Sequence, residues 1–136
     1  MKGSYTLLLK LSEEIEIEVG SLNKIKFRKG FYAYNGSAFG PGGLKRVNRH
    51  IEKSENGKNP HWHIDYLLIE NKGEIVDFFK SSSDHECMLS KQMAIYFDQI
   101  DGFGCSDCGC NSHLFFSRKS SKLIEFLEDF YQIEND

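Results

Sequence analysis

The sequence predicts an α+β fold: a small, mostly antiparallel sheet with helices packed on it. Three observations predict it. Short strand-like patterns crowd residues 3 to 37, apolar spacing turns helical from Leu44, Glu86 and Ser120, and strands and helices alternate after that first run. With 136 residues, no internal repeat and no interdomain linker, the expectation is one domain over residues 1–136. Apolar residues at 40% and charged residues at 27% place the chain among globular rather than disordered sequences.

Gly3 to Leu11, rich in Tyr, Thr and Leu, reads as a buried strand. Glu14 to Val19 alternates strictly, as a half-solvated strand does. Gly20-Ser21 turns the chain, and Lys24-Ile25-Lys26-Phe27 alternates again. Gly30 opens a strand through Tyr34, which the turn residues Asn35-Gly36-Ser37 are expected to end. Gly40-Pro41-Gly42-Gly43 is too glycine-rich for a helix interior. Leu44, Val47 and Ile51 then recur at helical spacing, with Lys45, Arg46, Arg49 and Glu52 between them. Ser54 to Pro60 reads as a polar loop.

His61 to Ile69 reads two ways. Ile64, Leu67 and Leu68 fit a short helix, whereas His61, His63 and Asp65 share a face only on a strand. Glu74 to Phe79 is strand-like. Ser83-Asp84-His85-Glu86 has the form of a capping box and opens a helix to about Phe97. A Gly, Cys and Asp-rich loop follows over residues 98 to 112, beginning a Cys/His-rich C-terminal extension from about residue 98. Leu114-Phe115-Phe116 reads as a short strand, and Ser120 or Ser121 caps a last helix with Leu123, Phe126, Leu127 and Phe130 on one face.

The net charge of −3 hides an asymmetry. Residues 1 to 60 hold eleven Lys and Arg against six Asp and Glu, while residues 61 to 136 hold six against fourteen. Phosphate contacts need local positive potential, so any nucleic-acid face is expected in the first half. No apolar run approaches the roughly 20 residues that cross a bilayer, which excludes a membrane partner of that kind. The start lacks the features of a signal peptide, and a cytoplasmic location is expected.

Gly3-Ser4-Tyr5 on the first strand resembles the Gly-Ile-Tyr element of GIY-YIG nucleases, and Tyr34-Asn35-Gly36 resembles their Tyr-Ile-Gly element. Arg46-Val47-Asn48-Arg49-His50 is similar to that family's Arg-Leu-x-x-His helix, and Glu86 sits where its metal-binding Glu is expected. Order and spacing cover about residues 3 to 97. Phe103-Gly104-Cys105-Ser106-Asp107-Cys108 and His61-Trp62-His63-Ile64-Asp65-Tyr66 resemble a narrower group. This is the archaeal and bacterial family called domain of unknown function 123, sometimes fused to an endonuclease III-like repair enzyme. That resemblance spans essentially the whole chain. The chain departs from the nuclease pattern at Ser4 and Asn35, which replace Ile, and in the insertion Phe39 to Gly43. The family's final Asn has only Asn111 as a counterpart.

The resemblance implies a GIY-YIG-like fold and a Mg- or Mn-dependent endonuclease acting on DNA in repair or processing, with RNA not excluded and a repair protein as partner. It implies a site made of Tyr5, Tyr34, Arg46 and Glu86, to which His50 is added by extrapolation. The residue chemistry agrees. Glu86 could hold Mg²⁺, which commonly takes one or two carboxylates with phosphate and water. Arg46 could grip a phosphate through its fork, and Lys45 and Arg49 add positive charge beside it. Tyr5 could act as general base if its proton is unusually labile. Tyr34 could donate to a phosphate oxygen, and His50 could assist proton transfer.

Each residue also has a plainer reading. The tyrosines could be half-buried strand aromatics, Arg46 a solvated helix residue, and Glu86 the closing member of the capping box.

Cys105, Cys108, Cys110 and His113 bring four potential ligands within nine positions, a candidate structural zinc site whose cramped spacing leaves reduced thiols or a redox pair as alternatives. Cys87 reads as a buried apolar residue rather than a ligand. On a strand, His61, His63 and Asp65 would make a metal face; on a helix, a hydrogen-bonded pair or cap. Trp62 reads as core before it reads as a base-stacking platform. Two functions of other classes stay open: a non-catalytic nucleic-acid-binding accessory module and a zinc-stabilised protein-interaction domain. Oligomeric state is not legible in the residues.

Overall fold

Strand β1 (Ser4–Leu11) is buried at seven of its eight positions, because its sheet is covered on both faces. A computed structural model describes residues 2–56, 60, 62–69, 72–104 and 110–135, with residues 134 and 135 described by backbone alone. The elements after β1 are β2 (Ile15–Glu18), a 3-10 turn (Gly20–Leu22), β3 (Lys24–Phe27), β4 (Gly30–Ser37), α1 (Gly43–Asn56) and α2 (Asp65–Leu68). Then come β5 (Glu74–Ser81), α3 (Glu86–Tyr96), β6 (Asp98–Gln99), β7 (Leu114–Ser117) and α4 (Ser120–Asn135). The main sheet runs β5-β1-β4-β7-β6, and β2-β3 forms a separate ribbon. Every pairing is antiparallel. The fold is therefore α+β, as the pattern of the sequence predicts.

Alternation along the strands sorts side chains into two cores. Tyr5, Leu7, Leu9 and Leu11 of β1 join Tyr32 and Tyr34 of β4 on one face, under Leu44, Val47 and Ile51 of α1 and Leu67 and Leu68 of α2. Leu8 and Ala33 face the other way, against Leu89 and Met93 of α3 and Leu123, Leu127 and Tyr131 of α4. Leu123 and Leu127 are wholly buried as their spacing predicts, whereas Phe126 and Phe130 are only partly covered. In the ribbon, Glu16 lies opposite Lys26 and Glu18 opposite Lys24, while Ile17 pairs with Ile25. Opposite charges across the exposed side and apolar pairs on the inner side hold that register.

Three local expectations give way to tertiary contacts. β4 does not end at Asn35-Gly36-Ser37. It pairs on to Ser37, opposite Ser4, because Asn35 spends its hydrogen bonds inside the fold rather than on a turn. The capping box does not form. The residue before α3 is His85, without a side-chain cap bond, and Glu86 is the first helical residue. Ser83 is instead tied to the sheet: its carbonyl accepts from the Ser4 hydroxyl at 2.7 Å, and its N–H donates to Ser81 Oγ at 3.1 Å. Residues 98 and 99, expected in a loop, add a short edge strand to β7.

A buried polar seam crosses the sheet. Thr6 Oγ1 meets Tyr131 Oη at 2.7 Å and donates to Asn35 Oδ1 at 2.8 Å. Asn35 Nδ2 donates to Ser90 Oγ at 3.0 Å, and Ser90 Oγ meets His113 Nδ1 at 2.7 Å. Helices α3 and α4 are thus pinned to β1, to β4 and to His113 just before β7 by paired polar groups within an otherwise apolar interface. Truncating Asn35 strands partners on both sides, and a buried group left unsatisfied costs on the order of 1–3 kcal/mol. Asn35→Ala is expected to lower unfolding stability by about that amount in urea titrations. A loss below about 0.5 kcal/mol would mean the seam is not a constraint.

Candidate functional site

Tyr5 and Tyr34 lie on adjacent antiparallel strands, diagonally placed, since Tyr5 pairs with Gly36 and Leu7 with Tyr34. Their rings come together with centroids 6.4 Å apart. The neighbouring glycines have steric reasons. A Cβ at Gly36 would be driven into Cζ and Oη of Tyr5, and one at Gly3 into the Ser81 carbonyl. Phe78 stacks on Tyr5 from the other side at 5.8 Å. Phe103 meets Tyr34 edge-on at 6.1 Å.

These rings form one wall of a cleft of about 240 Å³. The sheet contributes Tyr5, Tyr34 and Ser37; the turn before α2 contributes Trp62 and His63; Glu86, Gly104 and His113 complete the lining. Glu86 arrives there because Ser4 holds the entry to α3, with its hydroxyl oxygen also accepting the His85 N–H at 3.1 Å. A serine at a position without obvious chemistry thereby aims the carboxylate.

Of the five residues assigned chemistry in the sequence, Tyr5, Tyr34 and Glu86 line the cleft, whereas Arg46 and His50 are not among its lining residues. Arg46 is exposed on α1, its guanidinium over the Gly40–Gly42 turn. Lys45 and Arg49 are likewise exposed on α1. His50 turns inward: Nε2 lies 3.0 Å from both oxygens of the buried Asp65. Its ring stacks on Trp62 at 3.7 Å. Asp65 also accepts the Trp62 N–H at 2.8 Å. The turn-and-helix geometry therefore replaces the strand-borne metal face considered for His63 and Asp65, and Asp65 forms a hydrogen-bonded pair with His50. His61 lies outside the described residues. Trp62, read as core, is 37% exposed and faces the cleft.

His63, considered in the sequence only as part of a strand-borne metal face, takes a different place. Its Nδ1 accepts the Gly104 N–H at 2.8 Å. Burial lowers its pKa. A neutral ring accepting at Nδ1 carries its proton on Nε2, a donor in the lining of the cleft. Tyr5 behaves in the opposite sense to a labile phenol. Burial first, then the Glu86 carboxylate, push its pKa up, so it holds its proton.

The cysteines regroup. Sγ of Cys87, Sγ of Cys110 and a ring nitrogen of His113 lie within 4.8 Å of one another. Cys110 and His113 were read as ligands, but Cys87 joins them although it was read as apolar filling. The helical turn of α3 turns it toward the loop, a placement that spacing within 105–113 cannot reveal. Cys105 and Cys108 lie outside the described residues. A family model described as "Domain of unknown function DUF123" matches residues 4–135. No curated protein and no solved structure matches the chain. No helix among the described residues is long and apolar enough to cross a membrane.

The lowered pKa of His63 carries a pH dependence of definite sign. The unfolded chain takes up the proton near pH 6.5, and the folded chain only at lower pH. That part of the stability is present above the unfolded pKa and declines as pH falls below it. The His63 ring proton signal is expected to titrate with a midpoint below about 6.5; a midpoint at or above that of an exposed histidine would contradict the burial and the Gly104 bond.

Proposed function

The chain belongs to the DUF123 family of domains of unknown function, and from its cleft we propose a metal-dependent endonuclease of the GIY-YIG superfamily, hydrolysing phosphodiester bonds in DNA during repair or processing. The observation that carries this reading is the meeting of Tyr5 from β1, Tyr34 from β4 and Glu86 from α3 in one cleft. The glycines of both tripeptides add support, since each is required by close packing at the tyrosine strands. The Ser83 N–H, which a capping box would pair with Glu86, donates to Ser81 Oγ instead.

The donor set fits a hard cation that keeps much of its water. One carboxylate borders an open cleft beside hydroxyl-bearing side chains, which suits Mg²⁺ or Mn²⁺ held also by substrate phosphate. When bound, such an ion would supply charge neutralisation and a more acidic water. The chain's own residues do the rest. Glu86 would hold the cation in the cleft. Tyr34 and the Nε2–H of His63 donate to non-bridging phosphate oxygens, where charge develops. Tyr5 hydrogen-bonds the attacking water. A cation on Glu86 would offset only the carboxylate's contribution to the raised Tyr5 pKa, and the larger contribution of burial would remain. Trp62, braced by His50, offers a platform for an unpaired base. Lys45, Arg46 and Arg49 grip the flanking phosphates from α1.

A second reading, a nucleic-acid-binding module without catalysis, is favoured by the proton that Tyr5 retains. The two separate cleanly. Nicking of branched, damaged and single-stranded DNA is expected with Mg²⁺ or Mn²⁺. Glu86→Gln should reduce it on the order of 10²-fold or more, and Tyr5→Phe by a similar factor, with the fold and DNA binding kept. A folded wild-type chain that binds DNA yet cleaves nothing with either ion would leave the binding module. In either case Arg46→Ala should weaken binding and reduce the slope of log affinity against log salt by about 0.9 on duplex DNA. An unchanged slope would remove α1 from the interface.

A further inference from the structure

We propose that Cys87, Cys110 and His113 bind one zinc ion, which locks the first turn of α3 to the segment entering β7. The assignment does not depend on the nuclease reading. The three ligand atoms lie within 4.8 Å of one another. Tetrahedral zinc with sulfur at about 2.3 Å separates two thiolates by about 3.8 Å, so small rotamer adjustments complete the site. Cys110 and His113 are buried and Cys87 is half-buried. Two thiolates and an imidazole select a borderline-soft ion over the hard cation suited to Glu86.

The surroundings are arranged for ligation. Ser90 Oγ lies 2.7 Å from His113 Nδ1, which leaves Nε2 as the nitrogen to hold the metal. With Nδ1 donating, Ser90 Oγ accepts two hydrogen bonds, this one and that from Asn35 Nδ2. The His113 carbonyl accepts the Asn35 N–H at 2.9 Å, so ring and backbone are both fixed by β4. Hydrogen bonds of this kind to a ligating imidazole set its tautomer and raise its basicity. Cys110 Sγ sits 3.8 Å from the Cys87 carbonyl, bringing the loop against the helix end. Because Cys87 follows Glu86 directly and His113 lines the cleft, the ion would hold two parts of the cleft wall in place.

The test uses the full reduced chain with zinc and cobalt as probes, and no cleavage assay enters it. About one zinc per chain is expected on purification, and cobalt replacement should give thiolate-to-cobalt charge-transfer bands. Cys87→Ser and Cys110→Ser should each weaken zinc affinity at least tenfold. Should the serine variants unfold, Cys87→His distinguishes the causes: it should keep the metal while about halving the charge-transfer intensity. A folded wild-type chain that takes up neither ion, cobalt spectra without thiolate bands, serine variants with unchanged affinity, or a Cys87–Cys110 disulfide in place of the ion would each overturn the assignment.

Discussion

The register of β1 on β4 is the constraint on which everything else rests. Pairing Tyr5 with Gly36 and Leu7 with Tyr34 puts both tyrosines on the α1 side of the sheet. A slip of one residue would send each to the opposite face. Gly36 guards that register sterically, since any side chain there collides with the Tyr5 ring. The same alternation sends Ser4, Thr6 and Asn35 toward α3 and α4, where they find partners in Ser83, His85, Ser90 and Tyr131. One strand pair therefore builds the floor of the cleft on one face and the anchor for its carboxylate on the other.

This division gives meaning to Ser4 and Asn35. Ser4 and Asn35 occupy the middle positions of the two tripeptides, and both reach α3. Ser4 sets where the helix begins, and Asn35 holds it a turn later through Ser90. Apolar residues at these positions would pack against α3 without fixing its rotation, because hydrophobic contact is non-directional. Hydrogen bonds specify direction, and the direction in question is that of Glu86. The opposite wall uses the same device: Asp65 joins the Trp62 backbone to the His50 ring and so holds the indole at the cleft edge.

What could be read in the sequence was what depends on short-range pattern. The buried first strand, the ribbon, the helix of Leu44, Val47 and Ile51 and the last helix all follow from periodicity, and all are present. Tyr5, Tyr34 and Glu86 were legible as a set through the resemblance of their tripeptides and spacing. Contacts that join distant segments were not. Asn35-Gly36-Ser37 carries turn chemistry, yet tertiary bonds keep it in a strand. Ser83 and Glu86 spell a cap, yet Ser4, 79 residues away, takes hold of Ser83 instead. Cys87 lies outside the cysteine-rich loop, so no spacing rule within the loop reaches it. His63 gains its tautomer from the Gly104 backbone, a partner that sequence does not announce.

The central claim is that one cleft, walled by Tyr5, Tyr34 and Glu86, holds a hard divalent cation. Paramagnetic broadening by Mn²⁺ in NMR spectra of the full chain tests it most directly. The account expects substoichiometric Mn²⁺ to broaden the signals of Tyr5, Tyr34, His63 and Glu86 first, and expects Glu86→Gln to abolish that pattern with the fold intact. Broadening that begins instead on the acidic surface of α4, or that survives the loss of the Glu86 carboxylate, would contradict it.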